Sequence, residues 1–150
     1  MNVKSFFTEE QKLQVKNAIR VAETNTSGEI RVHIEKNCKE DVLDRAAYIF
    51  KKLEIHKTEL RNGVLFYLAI EDRKFAILGD AGINQKVPLD FWDKIKENAI
   101  ANFKEGQFAK GLTDGILKAG EQLKAHFPYQ KDDVNELSDE ISFGEENKDK

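Results

Sequence analysis

The residues in this sequence that could bind a ligand are carboxylates, carboxamides and arginines near the ends of predicted strands. Glu29 and Asp80 supply carboxylates, and Asn62 and Asn84 supply amide oxygens. Oxygen donors of this kind suit a hard cation such as Ca²⁺ or Mg²⁺. The candidate ligand-binding residues are Glu29, Arg31, Arg61, Asn62, Asp80, Gly82 and Asn84. The candidate metal ligands are Glu29, Asp80 and Asp90.

Three predicted strands would bring these residues together. Residues 29–35 alternate between apolar and polar types, which is the period of a half-buried strand. Residues 63–70 are apolar on both alternations, as in a central strand, and a short polar turn leads from them into residues 75–78. A crossover helix capped by Asp41 would leave the first two strands parallel. The starts of these two strands and the end of the third should then lie at one end of the sheet.

Helices fill the rest of the predicted domain. Thr8 and Gln11 have the spacing of a capping box, and Pro88 is placed to begin a later helix. The last helix should run from about residue 107 to Phe127, with its internal glycines packed closely against a neighbour. The order of elements predicts an α/β fold: a three-layer α/β/α sandwich, in which a small mixed sheet carries helices on both faces.

Each candidate also has a simpler interpretation. Asp80 beside glycines is a common turn residue, and Asp90 would complement a helix dipole. Glu29 and Arg31 alternate on one strand face and would form a solvated ion pair. A competing site is expected at the carboxyl ends of the parallel strands, where open α/β sheets bind ligands. That end offers residues with the character of ordinary solvated turns: Glu35, Asn37, Cys38, Glu71, Asp72 and Arg73.

Composition and charge limit the range of functions. The 150 residues carry 24 basic and 27 acidic side chains, so no nucleic-acid partner is expected. No apolar run approaches the roughly 20 residues of a membrane-spanning helix, so no membrane insertion is expected. One cysteine and the absence of a signal-peptide pattern favour a soluble, cytoplasmic protein.

The charge distribution divides the sequence into two segments. Residues 1–128 form the predicted domain, and residues 129–150 carry eight acidic against three basic side chains. Such a tail should be disordered or loosely docked. The residues through which it could dock are Val134, Leu137, Ile141 and Phe143.

The familiar catalytic motifs are missing. The sequence has no HExxH, GxSxG, GxxxxGK[ST] or GxGxxG pattern. Cys38 lacks the arginine and glycine spacing of a phosphatase loop and is expected to be an inert or mildly exposed thiol. Surface or partly buried positions are expected for His33, His56 and His126.

Several short motifs, in order and spacing, resemble the TPM domain, a family named for a thylakoid acid phosphatase, a photosystem II repair factor and a modulator of a nicotinic receptor. The motifs span about residues 8–127. They are Gly28-Glu29-Ile30-Arg31-Val32, Asn62-Gly63-Val64-Leu65, Arg73-Lys74-Phe75-Ala76-Ile77, Gly79-Asp80-Ala81-Gly82-Ile83 and Phe103-Lys104-Glu105-Gly106-Gln107-Phe108 with Gly111-Leu112.

The resemblance implies an α/β/α sandwich and a divalent-cation or phosphatase-like site on Glu29, Asp80 and Asn84. This sequence departs from the family's Gly-x-Gly-Leu-Glu loop and its following Thr-Asp pair, with Gly82-Ile83-Asn84 and Pro88-Leu89-Asp90 in their places. The loss of a carboxylate weakens both metal affinity and any acid/base pair.

Three functions remain open from the sequence. The first is a non-catalytic module that binds a divalent cation, Ca²⁺ or Mg²⁺, or a protein partner associated with membrane or envelope proteins. The second is a weak metal-assisted phosphatase, in which Arg31 or Arg61 would bind the phosphoryl oxygens. The third is a purely structural domain whose acidic edge is only solvated.

Overall fold

The computed structural model describes residues 3–129 and 141–144. Its strands are β1 (Glu29–Glu35), β2 (Gly63–Ala69), β3 (Lys74–Gly79) and β4 (Ser142–Phe143). Its α-helices are α1 (Glu9–Glu23), α2 (Val42–Lys52), α3 (Ala81–Asn84), α4 (Phe91–Lys104) and α5 (Phe108–His126). Short 3₁₀ turns cover Val3–Ser5 and Ile55–Lys57. No helix in these described ranges is both long enough and apolar enough to cross a bilayer.

The four strands form one mixed sheet in the order β3-β2-β1-β4. The predicted parallel pairing of β1 with β2 and the predicted antiparallel hairpin of β2 with β3 are both present. The α/β class with a mixed sheet is therefore confirmed. β4, which pairs in parallel with the outer edge of β1, was not predicted as a strand.

Alternate residues of β2 enter two separate apolar clusters. Val64, Phe66 and Leu68 join the larger cluster, whose other members come mostly from β1, α1, α4 and α5. Leu65, Tyr67 and Ala69 join the smaller one, which includes residues of α2 and Ile55. Successive strand side chains point to opposite sides of a sheet, so β2 is covered on both sides. All seven of its residues are buried, as its continuous apolar sequence predicted.

The helix ends follow local sequence signals with one exception. Thr8 and Gln11 form the predicted capping box, and the Asp41 carboxylate accepts hydrogen bonds from the first turn of α2. The predicted start of a helix at Pro88 is wrong, because residues 88–91 first form a turn, in which Phe91 N donates to Pro88 O at 3.1 Å. Helix α4 starts at Phe91, beside Trp92, whose indole Nε1 donates to Asn84 Oδ1 at 2.7 Å.

Helices α1 and α5 approach each other closely, as expected from the glycines of α5. A Cβ atom at Gly120 would lie 2.6 Å from both Cα and Cβ of Ala22, so only glycine allows this contact. Thr26, just after α1, places its Oγ1 2.9 Å from the backbone oxygen of Leu123 and also within hydrogen-bond distance of that of Phe127. The same hydroxyl oxygen accepts from Gly28 N at 3.1 Å, which joins the end of α5 to the start of β1.

The predicted acidic tail, residues 129–150, lies mostly outside the described residues, as do the expected docking residues Val134 and Leu137. Ile141 and Phe143 are described, and both pack against the larger apolar cluster. In residues 141–144 the chain is therefore docked on the domain.

Candidate functional site

The amino ends of β1 and β2 meet the end of β3, as the topology predicted. Glu29 lies beside Gly63 in the parallel pair, and Asp80 N donates to Gly63 O at 2.9 Å from the other side. Glu29 and Asp80 are therefore two strand spacings apart, about 10 Å. A Cβ at Gly63 would lie only 2.5 Å from Cγ2 of Ile55, so the isoleucine occupies the space above the glycine. The apolar side chain of Ile55 thus packs on Gly63, the residue between Glu29 and Asp80.

Asp80 is held on both of its carboxylate oxygens. Arg61 donates from Nε to Oδ2 at 2.6 Å and from Nη2 to Oδ1 at 2.7 Å, and Ala81 N donates to Oδ1 at 2.8 Å. The hydrogen bond to Asp80 and its charge raise the pKa of Arg61. The Asp80 side chain is 6% exposed, whereas that of Arg61 is 53% exposed. A buried anion is thus neutralised by a side chain that lies largely in solvent.

Asn62 and Gly82 support this edge in different ways. Asn62 is buried; its Nδ2 donates to Ser27 Oγ at 3.2 Å, and its Oδ1 has no hydrogen-bond partner. Gly82 N donates to Arg61 O at 2.8 Å, and a Cβ at Gly82 would lie 2.1 Å from Leu60 O. Gly82 therefore permits a close approach of two backbone segments, while Asn62 leaves one oxygen acceptor unused.

The other predicted ligands have different surroundings. Asn84 is exposed; its Nδ2 donates to Gly79 O at 2.8 Å, and its Oδ1 accepts from the Trp92 indole. The carboxylate of Asp90 is exposed and pairs with Lys94 at 3.2 Å on the first turn of α4. Glu29 is buried rather than solvated, and Arg31 is partly buried. The structure thus brings Arg61 and Asp80 into contact, whereas Asp90 and Asn84 interact with side chains of α4.

A divalent cation at this edge would have few charged ligands. No group of three His, Cys, Asp or Glu side chains within residues 3–129 and 141–144 is arranged to hold a metal ion. At this edge the Asp80 carboxylate binds Arg61, and the neighbouring residue in the chain, Asn62, has an amide oxygen without a hydrogen-bond partner. Both are donor types that Ca²⁺ and Mg²⁺ accept. A cation would also have to displace Arg61 from Asp80.

The carboxyl end of the parallel strands, where the sequence predicted a competing site, contains a polar cluster whose burial and partners were not predicted. Glu35 is 7% exposed, and its carboxylate accepts hydrogen bonds from Arg45 on α2 and from the Tyr67 hydroxyl. Nε2 of His33 lies 3.4 Å from the same carboxylate. Burial alone would raise the pKa of Glu35, but the nearby His33 ring and the hydrogen bonds from Arg45 and Tyr67 outweigh it and lower the pKa to about 2.

Residues near the Glu35 cluster also form hydrogen bonds. Asp72 accepts from Cys38 N at 2.7 Å, and Lys74 Nζ donates to Cys38 O at 3.0 Å. The interpretation of this end as ordinary solvated turns is therefore wrong for Glu35 and Cys38, and His33 is fully rather than partly buried. The available signal was a strand with a polar residue at every second position, followed by a helix that supplies Arg45 in its first turns.

The sequence matches the family model of the TPM domain over residues 2–122. The chain belongs to the TPM domain family. This TPM domain is similar to the BA42 protein of the psychrophilic bacterium Bizionia argentinensis, whose NMR structure has 50% sequence identity and a TM-score of 0.86. That match covers 94% of this chain and 97% of the BA42 chain.

Two further NMR structures share the fold of this TPM domain. The N-terminal domain of a P. gingivalis protein has a TM-score of 0.70 at 17% identity, and the match covers 84% of this chain and 83% of that one. The N-terminal domain of cg2496 from Corynebacterium glutamicum has a TM-score of 0.62 at 13% identity, with 94% and 82% covered. A comparison with curated proteins gave no match.

Proposed function

We propose that this TPM domain is a binding module whose ligand at the amino end of the sheet is a divalent cation, Ca²⁺ or Mg²⁺. The cation takes the place of Arg61 at the Asp80 carboxylate. The observation that carries the proposal is the contrast between these two residues: the carboxylate is buried, and its counter-charge is a long side chain that is 53% exposed. Such a side chain can move into solvent without disturbing the core.

The surrounding donors support a hard cation. Asn62 supplies an oxygen without a hydrogen-bond partner, and amide and carboxylate oxygens are typical ligands of Ca²⁺. Because Asp80 is the main charged ligand and Arg61 competes for it, affinity should be low, with a Kd on the order of 0.1–1 mM. When bound, the cation supplies a positive charge fixed at the sheet edge.

The test is a Ca²⁺ and Mg²⁺ titration followed by backbone amide NMR on the wild type, Asp80→Asn and Arg61→Gln. We expect saturable shifts at residues 61–63 and 79–84 in the wild type and none in Asp80→Asn. Arg61→Gln should bind several times more tightly, because the competing charge is gone. Asp90→Asn is the matched control, since that carboxylate pairs with Lys94. Unchanged binding by Asp80→Asn, or weaker binding by Arg61→Gln, would refute the proposal.

The same titration, together with an aryl phosphate hydrolysis assay, separates the other functions. In a metal-assisted phosphatase Arg61 would bind phosphoryl oxygens, so Arg61→Gln would bind the cation more tightly yet hydrolyse an aryl phosphate more slowly. A purely structural edge would give flat titrations for all four proteins.

A protein partner is the second candidate, and exposed leucines favour it. Leu60 is 50% exposed and lies beside the Gly82 backbone, and Leu89 in the turn before α4 is fully exposed. Exposed apolar side chains of this kind are typical of surfaces that bind another protein. A photo-crosslinking residue at position 89 should give a discrete adduct in cells, whereas the same residue at the exposed Leu13 of α1 should not. Adducts of equal yield at both positions would argue against this surface.

A further inference from the structure

Three side chains at the edge of β1 have the arrangement of an activated serine. Oγ of Ser142 on β4 lies 2.8 Å from Nδ1 of His33. On the other side of the imidazole ring, Nε2 lies 3.4 Å from Oε1 of Glu35. A hydroxyl, a histidine and a carboxylate in this order are typical of nucleophilic catalysis, in which the histidine removes the hydroxyl proton and the carboxylate orients the histidine.

The histidine ring and its carboxylate are both held in place. Tyr67 lies opposite His33 in the parallel strand pair, and the two rings are 13° from parallel with centres 6.1 Å apart. The Glu35 carboxylate accepts hydrogen bonds from Arg45 and from the Tyr67 hydroxyl. A carboxylate beside Nε2 favours the neutral ring form with its hydrogen on Nε2, because that hydrogen then points at the negative charge. The lone pair of Nδ1 is then directed at Ser142, as a general base requires.

Burial distinguishes the serine from the two groups behind it. His33 and Glu35 are 5% and 7% exposed, whereas Ser142 is only partly buried. Ser142 also lies on the outermost strand of the sheet in the described part of the chain. The base and its carboxylate are therefore withdrawn from water, while the hydroxyl is within reach of a small ligand.

The backbone beside Ser142 supplies a donor for the negative charge that develops in acyl transfer. Gly144 N donates towards β1, to Ile34 O at 2.8 Å. Successive N–H groups of a strand point to opposite sides in the plane of the sheet, so the N–H of Phe143 points away from β1. In α/β-hydrolases the N–H of the residue after the nucleophile is one of the two oxyanion donors. The N–H of Phe143 has this position relative to Ser142.

We propose that Ser142 is a nucleophile for acyl transfer, with His33 as its general base and Glu35 as the positioning residue of that base. The substrate class is small esters with a good leaving group, such as aryl esters. The N–H of Phe143 provides one oxyanion donor where α/β-hydrolases have two, and removing one such donor costs about 10²–10³-fold in rate. Esters whose leaving group departs easily need less of this stabilisation than amides do.

The reaction has two steps. In the first, Ser142 Oγ bonds to the carbonyl carbon while its proton passes to Nδ1 of His33; the bond to the aryl oxygen breaks, and the aryl oxide takes that proton. In the second, water gives a proton to His33 while the water oxygen bonds to the acyl carbon; the bond to Ser142 Oγ breaks, and the proton returns to Oγ. The products are a phenol and a carboxylic acid. The site lies at the opposite end of β1 from Asp80, so this proposal does not rest on the cation site.

The test treats the full-length chain with a fluorophosphonate probe, which modifies activated serines, and locates the adduct by mass spectrometry. We expect an adduct on Ser142 and hydrolysis of a nitrophenyl acetate above the rate in buffer. Ser142→Ala should lose both, and His33→Gln should be labelled about a hundredfold more slowly, since general-base catalysis contributes roughly 10²–10⁴-fold. Ser27→Ala is the matched control, because Ser27 is also partly buried but its hydroxyl accepts from Asn62. It should be labelled at the wild-type rate.

Three outcomes would overturn the proposal. The first is a wild-type chain with the native amide spectrum that forms no adduct, or forms it on a serine other than Ser142. The second is a His33→Gln protein that is labelled as fast as the wild type. The third is ester hydrolysis that persists in Ser142→Ala. The wild-type adduct and Ser142→Ala decide the question even if His33→Gln does not keep the native fold.

Discussion

Arg45 on α2 holds the carboxylate of Glu35, at the end of β1, through both Nε and Nη2. The two side chains are 28% and 9% exposed, so the pair is largely withdrawn from water. Bidentate pairs of this kind are among the stronger hydrogen-bonded contacts in proteins. The pair joins the crossover helix α2 to the preceding strand β1, next to the edge of β1 on which residues 141–144 lie.

The first prediction concerns acid stability. The pKa of Glu35 falls from 4.5 to about 2 on folding, so the native state favours the charged carboxylate. Its contribution to stability is complete above pH 4.5 and is lost as the pH falls from 4.5 towards 2. We expect Glu35→Gln to lower the free energy of unfolding at pH 7 by about 3 kcal/mol and to flatten its pH dependence in that window.

The measurement is urea unfolding of wild type and variant at a series of pH values. Glu54→Gln is the control, because the pKa of Glu54 is also lowered, but by an exposed contact with Lys57. It should behave as the wild type does. A Glu35→Gln protein that retains the wild-type pH dependence between 2 and 4.5 would contradict the prediction.

The second prediction concerns the Arg61–Asp80 pair. Removing Arg61 leaves a buried carboxylate without its counter-charge, whereas removing both charges does not. We therefore expect the double variant Arg61→Ala/Asp80→Asn to be more stable than Arg61→Ala alone. Thermal unfolding of the four proteins in a double-mutant cycle measures this. Strictly additive effects would show that the two residues are not coupled.

The third prediction tests Gly82. An alanine Cβ here would meet the backbone oxygens of Leu60 and Arg61 at 2.1 and 2.6 Å, so the loop before β2 must move. We expect Gly82→Ala to destabilise the domain by about 1–3 kcal/mol and to shift the amides around Asp80. Gly106→Ala is the contrast: that glycine has φ of 78° and open space around it. Its cost of about 1–2 kcal/mol should come from the backbone alone and leave the Asp80 amide unchanged.

The fourth prediction compares two threonines two residues apart. Thr26 is buried, and its hydroxyl joins the carboxyl end of α5 to Gly28 N. Thr24 is exposed, and its hydroxyl donates to Arg20 O in the helix that it ends. We expect Thr26→Val to cost about 1–2 kcal/mol and Thr24→Val about 0.5 kcal/mol or less, measured by urea unfolding. Equal costs would mean that the Thr26 hydroxyl does not stabilise the link.

Local sequence patterns predicted most of the fold. The alternation in residues 29–35, the capping box at Thr8 and the Asp41 cap each depend on neighbours within a few positions, and each is present. The parallel crossover followed from the handedness rule. The short strand at Ser142–Phe143 did not follow, because two residues carry no period and its stability depends on contacts with distant His33 and Ile34.

The candidate sites were harder to predict, because their geometry depends on which side chains meet. The sequence placed Asp80 and Arg61 at one edge but could not show that they bind each other. It placed Asp90 near the same edge, whereas a lysine one turn along α4 takes its carboxylate. Glu35 was named at the competing site, but its burial was not predicted, since Arg45 and Tyr67 approach from different elements and neither alone marks a buried carboxylate.

The contact between Ala22 and Gly120 has a consequence for the timing of folding during synthesis. The apolar face of α1 (Val15, Ala18, Ile19 and Ala22) is covered largely by a helix made about a hundred residues later. At 5–20 residues per second, a ribosome needs roughly 5–20 s to reach that helix. For that interval α1 is a short helix without its partner, and short isolated helices are marginally stable in water. During that interval these apolar residues of the nascent chain lack the surface that covers them in the folded domain.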